Sequence, residues 1–338
     1  MSCLIAHTAP RYGVILGWTG SPEAPEPEAV GRYLERFLMD PMVIRAPWLL
    51  RALLVRGLIV PRRKYRSAEA YRRIWTPMGS PLAAHTAALA QALEVKLGLP
   101  VLHGSAYGSP TLEDAARKAA SLGDVPWLFM PLFPQYAGAT RGTLETRFLQ
   151  AARNAGLRVL GIIPPFYDDP AYIDALTKTV FPSLETFQPD HLLFSFHGLP
   201  LSHVRRDAAR GPGFDYVSQC GTTMDRLLEA LNWPRERASL GWQSRLGRGW
   251  LAPDTAGELA RLARRGVRRL AVIAPSFVAD CLETLEELGI TGRDTFLRHG
   301  GDAYLLCPAL NTGSPWISAI NDIIDKNLKF ETLDKIPL

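Results

Sequence analysis

The sequence is short of the features that announce several common protein classes. Its four cysteines, Cys3, Cys220, Cys281 and Cys307, share no short spacing, so neither a CxxC zinc motif nor a disulfide framework is written in them. That usage predicts a reducing, cytoplasmic setting. No stretch reaches the roughly 18 apolar residues that a membrane-spanning helix needs. The first residues, Met1-Ser2-Cys3-Leu4-Ile5-Ala6-His7, lack the basic flank and apolar core of a signal peptide. No Walker A loop and no GxGxxG opens a helix, which disfavours nucleotide binding. Neither sign of charge dominates. The 38 Lys and Arg against 33 Asp and Glu give +5, which admits an anionic small molecule or surface without calling for nucleic acid. The 28 glycines and 27 prolines are scattered, without the period of collagen-like or low-complexity chains.

What is present is a chain rich enough in apolar residues, 47% of its 338, to bury a sizeable core. At about 150 residues per domain, this length suggests two domains or one large α/β unit. Short apolar runs at 12–16, 100–102, 127–130, 158–163, 191–196, 238–240, 270–274 and 303–306 alternate with helix-like segments. Those segments lie at 28–38, 83–97, 112–122, 143–155, 172–180, 219–231, 256–265 and 281–288. Such alternation argues for parallel sheets covered by helices.

The order of elements also repeats. Val14-Ile15-Leu16-Gly17-Trp18-Thr19-Gly20-Ser21-Pro22 resembles Leu192-Leu193-Phe194-Ser195-Phe196-His197-Gly198-Leu199-Pro200, each an apolar strand running into a Gly-x-Pro turn. Phe129-Met130-Pro131-Leu132-Phe133 resembles Val272-Ile273-Ala274-Pro275-Ser276-Phe277 in the same way. The fold class read from this is α/β: two similar Rossmann-like domains, each a parallel sheet flanked by helices. The expected division is 1–170 and 171–313, with a C-terminal helix over 314–330 packing back on the first domain. In open sheets of this kind ligands bind beyond the carboxyl ends of the strands, so the cleft between the halves is where chemistry is expected.

Two constellations fall there. His197 follows a buried strand and precedes a sharp turn at Gly198 and Pro200, a position from which an imidazole can accept a proton or hold a metal. A hydrogen-bonded structural histidine is the competing reading. Asp280 and Glu283 have the spacing of a capping box, which would explain both as helix-start residues. Glu283 and Glu287, however, share one helix face at i,i+4, a costly arrangement unless a cation or proton is shared. A third feature is the apolar stretch 47–60, whose two arginines argue against spanning a membrane. It is expected to lie on a membrane surface or to form an apolar lip. It runs into the basic segment Pro61-Arg62-Arg63-Lys64-Tyr65-Arg66, suited to carboxylates beside an apolar surface.

Together with further segments, these motifs resemble the ferrochelatases, enzymes that insert Fe²⁺ into a porphyrin to make haem. The resemblance covers roughly residues 13–325. It rests on Gly20-Ser21-Pro22-Glu23-Ala24-Pro25, Pro61-Arg62-Arg63, Ser67-Ala68-Glu69-Ala70-Tyr71-Arg72, Gly79-Ser80-Pro81 and Pro134-Gln135-Tyr136. It continues through Phe194-Ser195-Phe196-His197-Gly198-Leu199-Pro200, Trp242-Gln243-Ser244-Arg245 and Phe277-Val278-Ala279-Asp280-Cys281-Leu282-Glu283-Thr284. Each segment is common alone; in this order and spacing the set is specific.

The resemblance implies a chelatase-like pair of domains with a porphyrin cleft between them. It implies His197 and Glu283 as the catalytic pair, both taking part with Glu287 in handling the metal, and Arg63, Tyr71 and Ser80 as porphyrin contacts. Trp18 and Tyr107, at strand ends of the first half, are expected to face the same cleft. Fe²⁺ and the porphyrin are substrates, protoporphyrin being favoured by the apolar stretch. No tightly bound cofactor is expected, and no [2Fe–2S] cluster, because no cysteine follows Leu310. The expected place is the cytoplasm, peripheral to the inner membrane through 47–60. The chain departs from the family pattern where Gly17-Trp18-Thr19 stands for Val-Asn-Leu, Ala106-Tyr107-Gly108 for Arg-Tyr-Gly, and Phe214-Asp215-Tyr216 for Asp-Pro-Tyr. Two further readings therefore stand beside active iron insertion: a porphyrin- or haem-binding protein without turnover, and a chelatase for another metal or tetrapyrrole.

Overall fold

A computed structural model describes residues 12–245 and 247–331; Cys3 and the N-terminal stretch read above lie outside them. The apolar runs become eight parallel strands in two sheets. The first joins β1 (Gly13–Trp18), β2 (Val101–Ser105), β3 (Trp127–Pro131) and β4 (Val159–Ile162) in the order β2-β1-β3-β4. The second joins β5 (His191–His197), β6 (Ala238–Gln243), β7 (Arg269–Ile273) and β8 (Ala303–Leu306) in the order β6-β5-β7-β8. The two orders are the same, as the internal repeat predicts, and β1 and β5 occupy matching places in them.

The helices in chain order are α1 (Pro27–Leu38), α2 (Trp48–Ala52), α3 (Val60–Ile74), α4 (Pro81–Leu97), α5 (Leu112–Ala120) and α6 (Thr143–Ala155). Then come α7 (Pro170–Phe187), α8 (Leu201–Ala208), α9 (Tyr216–Ala230), α10 (Thr255–Arg264), α11 (Arg293–Arg298) and α12 (Ser314–Glu331). Helix starts follow their sequence signals. Thr111 and Asp114 form a reciprocal capping box at α5, Asp169 caps α7 ahead of Pro170, and Asp254 caps α10.

The largest apolar cluster belongs to both halves. It runs from Val14, Leu16 and Leu93 through Tyr172 and Leu176 of α7 to Phe194, Phe196 and Leu227. Trp316, Ile320 and Ile324 of α12 complete it. The C-terminal helix thus packs on α7 as well as on α4 of the first half.

Hydrogen bonds also cross between the halves. Gln135, 2% exposed, donates to Thr223 Oγ1 at 2.9 Å and accepts from Ser276 Oγ at 2.7 Å. The Tyr136 N–H donates to Gln219 Oε1 at 2.6 Å, and the Gly138 N–H to Asp207 Oδ2 at 2.8 Å.

Two helical features exceed the sequence reading. Residues Trp48–Ile74 form one continuous helical run, α2 and α3 being joined by a π-helical stretch, Leu53–Ile59. Pro61, which has no N–H to give, falls just after that stretch. The run is amphipathic in an inverted sense. Leu49 and Leu53 are 73% and 72% exposed, and Trp48, Leu50 and Leu58 are exposed beside them. Arg51 turns inward, donating to the carbonyls of Ala46 at 2.9 Å and Ile44 at 3.3 Å. The second feature lies after β7. The helix read over 281–288 is π-helical over Glu283–Gly292 and continues as α11.

Candidate active site

The carboxyl ends of β5 and β6 set the site. Their parallel register pairs His197 with Gln243. Between these strands and the turn that follows there is no room for a side chain at residue 198: a Cβ on Gly198 would lie 2.7 Å from the Gln243 carbonyl. The Gly198 N–H instead donates to that carbonyl at 2.8 Å, closing the turn under the imidazole. The His197 carbonyl accepts from the Tyr216 hydroxyl at 3.0 Å, and its ring lies 6.4 Å from that of Phe277, in the loop after β7.

Gln243 links the strands to the acidic helix. Its Oε1 accepts from the buried Ser195 hydroxyl at 2.8 Å, and its Nε2 donates to the Glu283 carbonyl at 3.2 Å. Next to it, Ser244 adopts a left-handed conformation, φ 57. From there its N–H donates to Glu287 Oε1 at 2.6 Å and its hydroxyl to Oε2. Burial pushes the Glu287 carboxyl above the ordinary carboxylate range, the two Ser244 bonds pull it back, Glu283 raises it and His197 lowers it. That pattern brings Glu283 and His197 each within electrostatic reach of Glu287.

The capping-box reading of Asp280 and Glu283 is corrected. Asp280 Oδ1 accepts from the Thr284 hydroxyl at 2.9 Å and Oδ2 from Asn311 Nδ2 at 2.7 Å, while the Cys281 N–H donates to Thr284 Oγ1 at 3.0 Å. The π-helical start carries no side-chain cap. With capping duty taken by Thr284 and Asn311, the Glu283 side chain is released from that role. No basic side chain pairs with Glu283 or Glu287 among the described residues. The acidic run also splits: Glu286 turns away to Arg73 at 3.3 Å. Among the described residues no three His, Cys, Asp or Glu side chains converge as a closed metal cage.

The first half supplies the opposite wall unevenly. Tyr71 of α3 is 8% exposed and lies in a buried setting where the Glu283 charge helps to raise its hydroxyl pKa, after burial and Tyr33. Arg63, on the same helix, is exposed, with no ion pair among the described residues. Ser80, 4% exposed, stands at the start of α4 without capping it. Trp18 and Tyr107, expected at the same cleft, are also buried. Trp18 is 2% exposed and packs in the shared core, its ring 6.1 Å from that of His103. Tyr107 is buried as well, its hydroxyl donating to Asp40 Oδ2 at 3.0 Å under the guanidinium of Arg147. Ala106, where the family pattern has arginine, gives its carbonyl to Arg147 Nη1 at 2.9 Å.

Gln243, Ser244 and Tyr216 are site residues that spacing alone misses. The signal for the first two was the motif Trp242-Gln243-Ser244-Arg245 at a strand end, in the place that His197 occupies on β5.

Comparison with known proteins identifies the family. The ferrochelatase family model matches residues 11–328. A ferrochelatase of Bdellovibrio bacteriovorus is 40% identical over 330 residues, covering 93% of this chain and 98% of that protein. One of Pseudomonas aeruginosa is 41% identical over 326 residues, covering 90% and 94%. Among solved structures, CbiX, described as the terminal enzyme for biosynthesis of siroheme in denitrifying bacteria, superposes with a TM-score of 0.50 at 16% identity, over 94% of this chain and 99% of that one. The cobalt complex of the sirohydrochlorin chelatase SirB from Bacillus subtilis gives 0.52 at 11% identity, over 94% and 96%. At such identity these two likenesses speak for the fold alone, the two-domain chelatase fold. With a family model matching almost from end to end and relatives near two-fifths identity over nine-tenths of its length, this chain belongs to the ferrochelatase family.

Proposed function

We propose that the chain inserts Fe²⁺ into protoporphyrin IX, forming haem with release of two protons. The observation that carries this reading is the hold of Gln243 and Ser244, at the strand end that pairs with His197, on the helical segment carrying Glu283 and Glu287. Porphyrin metallation needs such a set. Two pyrrole N–H protons must leave as the metal enters, and pyrrole nitrogens are poor acids, so a flat ring metallates slowly. A cleft that holds the ring bent exposes the nitrogen lone pairs and spends binding energy on approaching the transition state.

In this reading His197 takes the pyrrole protons, Glu283 shares the relay, and Glu287, held by Ser244, passes protons or metal along the π-helical segment. Arg63, Tyr71 and Ser80 hold the porphyrin, Arg63 through a carboxylate. Iron stays ferrous throughout and the protons leave to the site's bases, so the reaction requires neither a resident cofactor nor a [2Fe–2S] cluster. The exposed face of Trp48–Leu58 beside Arg62 and Arg66 supports contact with an anionic membrane surface at the cytoplasmic face of the inner membrane. No helix among the described residues is long and apolar enough to cross a membrane.

The test is metal insertion by the purified protein, followed by absorbance, with protoporphyrin IX and coproporphyrin and with Fe²⁺, Co²⁺, Ni²⁺ and Zn²⁺. Fastest turnover with Fe²⁺ and protoporphyrin is expected, and His197→Ala should abolish it with the fold intact. Tight porphyrin binding with no turnover on any metal would replace this reading by a binding protein. A strong preference for another metal would replace it by a different chelatase.

A further inference from the structure

We infer that Arg73 and Glu286 are positioning residues, tying the porphyrin-side helix α3 to the π-helical segment that carries Glu283 and Glu287. The inference rests on the proposed function and deepens it. Glu286 lies on the same segment as the two site carboxylates but points the other way. Its side chain is 15% exposed, and its Oε1 accepts from Arg73 Nη1 at 3.3 Å and from the Thr291 hydroxyl at 3.0 Å. Arg73 is held in turn by Glu69 on its own helix, through Nη2 at 3.0 Å.

Apolar packing runs alongside. Leu282 and Leu285 pack against the cluster of Val30, Leu34, Val55, Tyr71 and Ile74, which belongs to α1, α3 and the π-helical stretch before α3. One side of the segment, residues 282, 285 and 286, is therefore fastened to the first half. From the second half, Gln243 holds the Glu283 carbonyl and Ser244 holds the Glu287 carboxylate, while the Glu283 charge also reaches Tyr71.

A tether matters here because the segment is π-helical over ten residues. The π-helix is rare and appears mostly as single turns inside α-helices, frequently at functional sites, so a stretch of this length calls for contacts that hold it. Arg73 sits two residues beyond Tyr71 on α3, so a shift of that helix as a ring is gripped reaches the acidic segment directly. An exposed ion pair adds little to global stability. Its effect is expected in geometry, where small displacements of catalytic groups are costly.

The test compares the wild type with Glu286→Gln and with the swapped pair Arg73→Glu/Glu286→Arg, by steady-state metallation and by amide hydrogen exchange across 283–292. Glu286→Gln should lower kcat about three- to tenfold while KM for porphyrin stays within about twofold, and should speed exchange in that segment, the signature of a geometric role. The swap should bring both back toward the wild type. The swap is made with Glu69→Gln in the same protein, since Glu69 would otherwise repel the new carboxylate at 73. A Glu286→Gln protein with wild-type kcat and wild-type exchange overturns the inference, and so does that triple variant restoring neither. If the wild type metallates no porphyrin, the proposed function fails, and the exchange comparison alone decides the tether.

Discussion

At Ser244 the backbone enters the left-handed region, φ 57, a conformation that favours glycine and that a serine keeps only when its surroundings demand it. The demand here is the Glu287 carboxylate, which receives both the N–H and the hydroxyl of Ser244. Both bonds favour the ionised form, while burial, the strongest influence, favours the protonated one. The folded pKa lies above the ordinary value, so the stability gained from protonated Glu287 is full below the unfolded pKa and is lost as pH rises through the folded one. Activity runs the opposite way, because Glu287 can accept a proton only when ionised. Ser244→Ala removes one ionised-state bond and should push the pKa further up. The acid limb of the kcat–pH profile should then move to higher pH. A limb that stays put or moves to lower pH contradicts a proton-handling role for Glu287. The motif around Ser244 is legible in the sequence, but its partner is not, since Ser244 and Glu287 stand 43 positions apart.

Among the elements, the Trp48–Ile74 helical run carries the character of its surface in the sequence but not the direction of each side chain. Arg51 and Arg56 within the apolar stretch argue against a membrane span. In the fold Arg51 is turned inward onto carbonyls, and Arg56 pairs with Glu35 at 2.7 Å. The leucines are left outside. Several large side chains exposed on one face, each worth roughly 1.5–3 kcal/mol when buried, mark a surface that meets another. Replacing Trp48, Leu49 and Leu53 together by Ser should abolish co-sedimentation with anionic phospholipid vesicles while leaving metallation in detergent unchanged. Vesicle binding that survives the triple change would assign that surface another role. The π-helical Glu283–Gly292 segment teaches a related lesson. Its 3.6-like spacing suggested an ordinary helix with a capping box, and only the competition from Thr284 and Asn311 for Asp280 decided otherwise.

For the whole molecule, the repeat in the sequence correctly anticipates two sheets of one topology, yet the halves are joined more closely than a linker between domains suggests. Gly138 shows the closeness. A Cβ there would lie 2.9 Å from Asp207 Oδ2 and from Arg206 Nη2, across the junction. Gly138→Ala should therefore strain the Gly138–Asp207 bond and lower unfolding stability by about 1–3 kcal/mol, measured by denaturant titration. An unchanged midpoint and slope would show that the junction yields freely.

Alternating apolar runs and recurring turn motifs, all local in sequence, were enough to determine the α/β class, the two matching sheets and the strand ends that carry His197 and Gln243. Direction across space was decided by tertiary structure. Of four acidic residues between 280 and 287, Asp280 is spent on Thr284 and Asn311, Glu286 on Arg73, and only Glu283 and Glu287 remain at the site. Trp18, at a strand end, went into the core. The reason is physical: spacing along an element fixes which side a residue occupies. What that side meets depends on partners as distant as the 213 positions between Arg73 and Glu286, and packing alone brings those together.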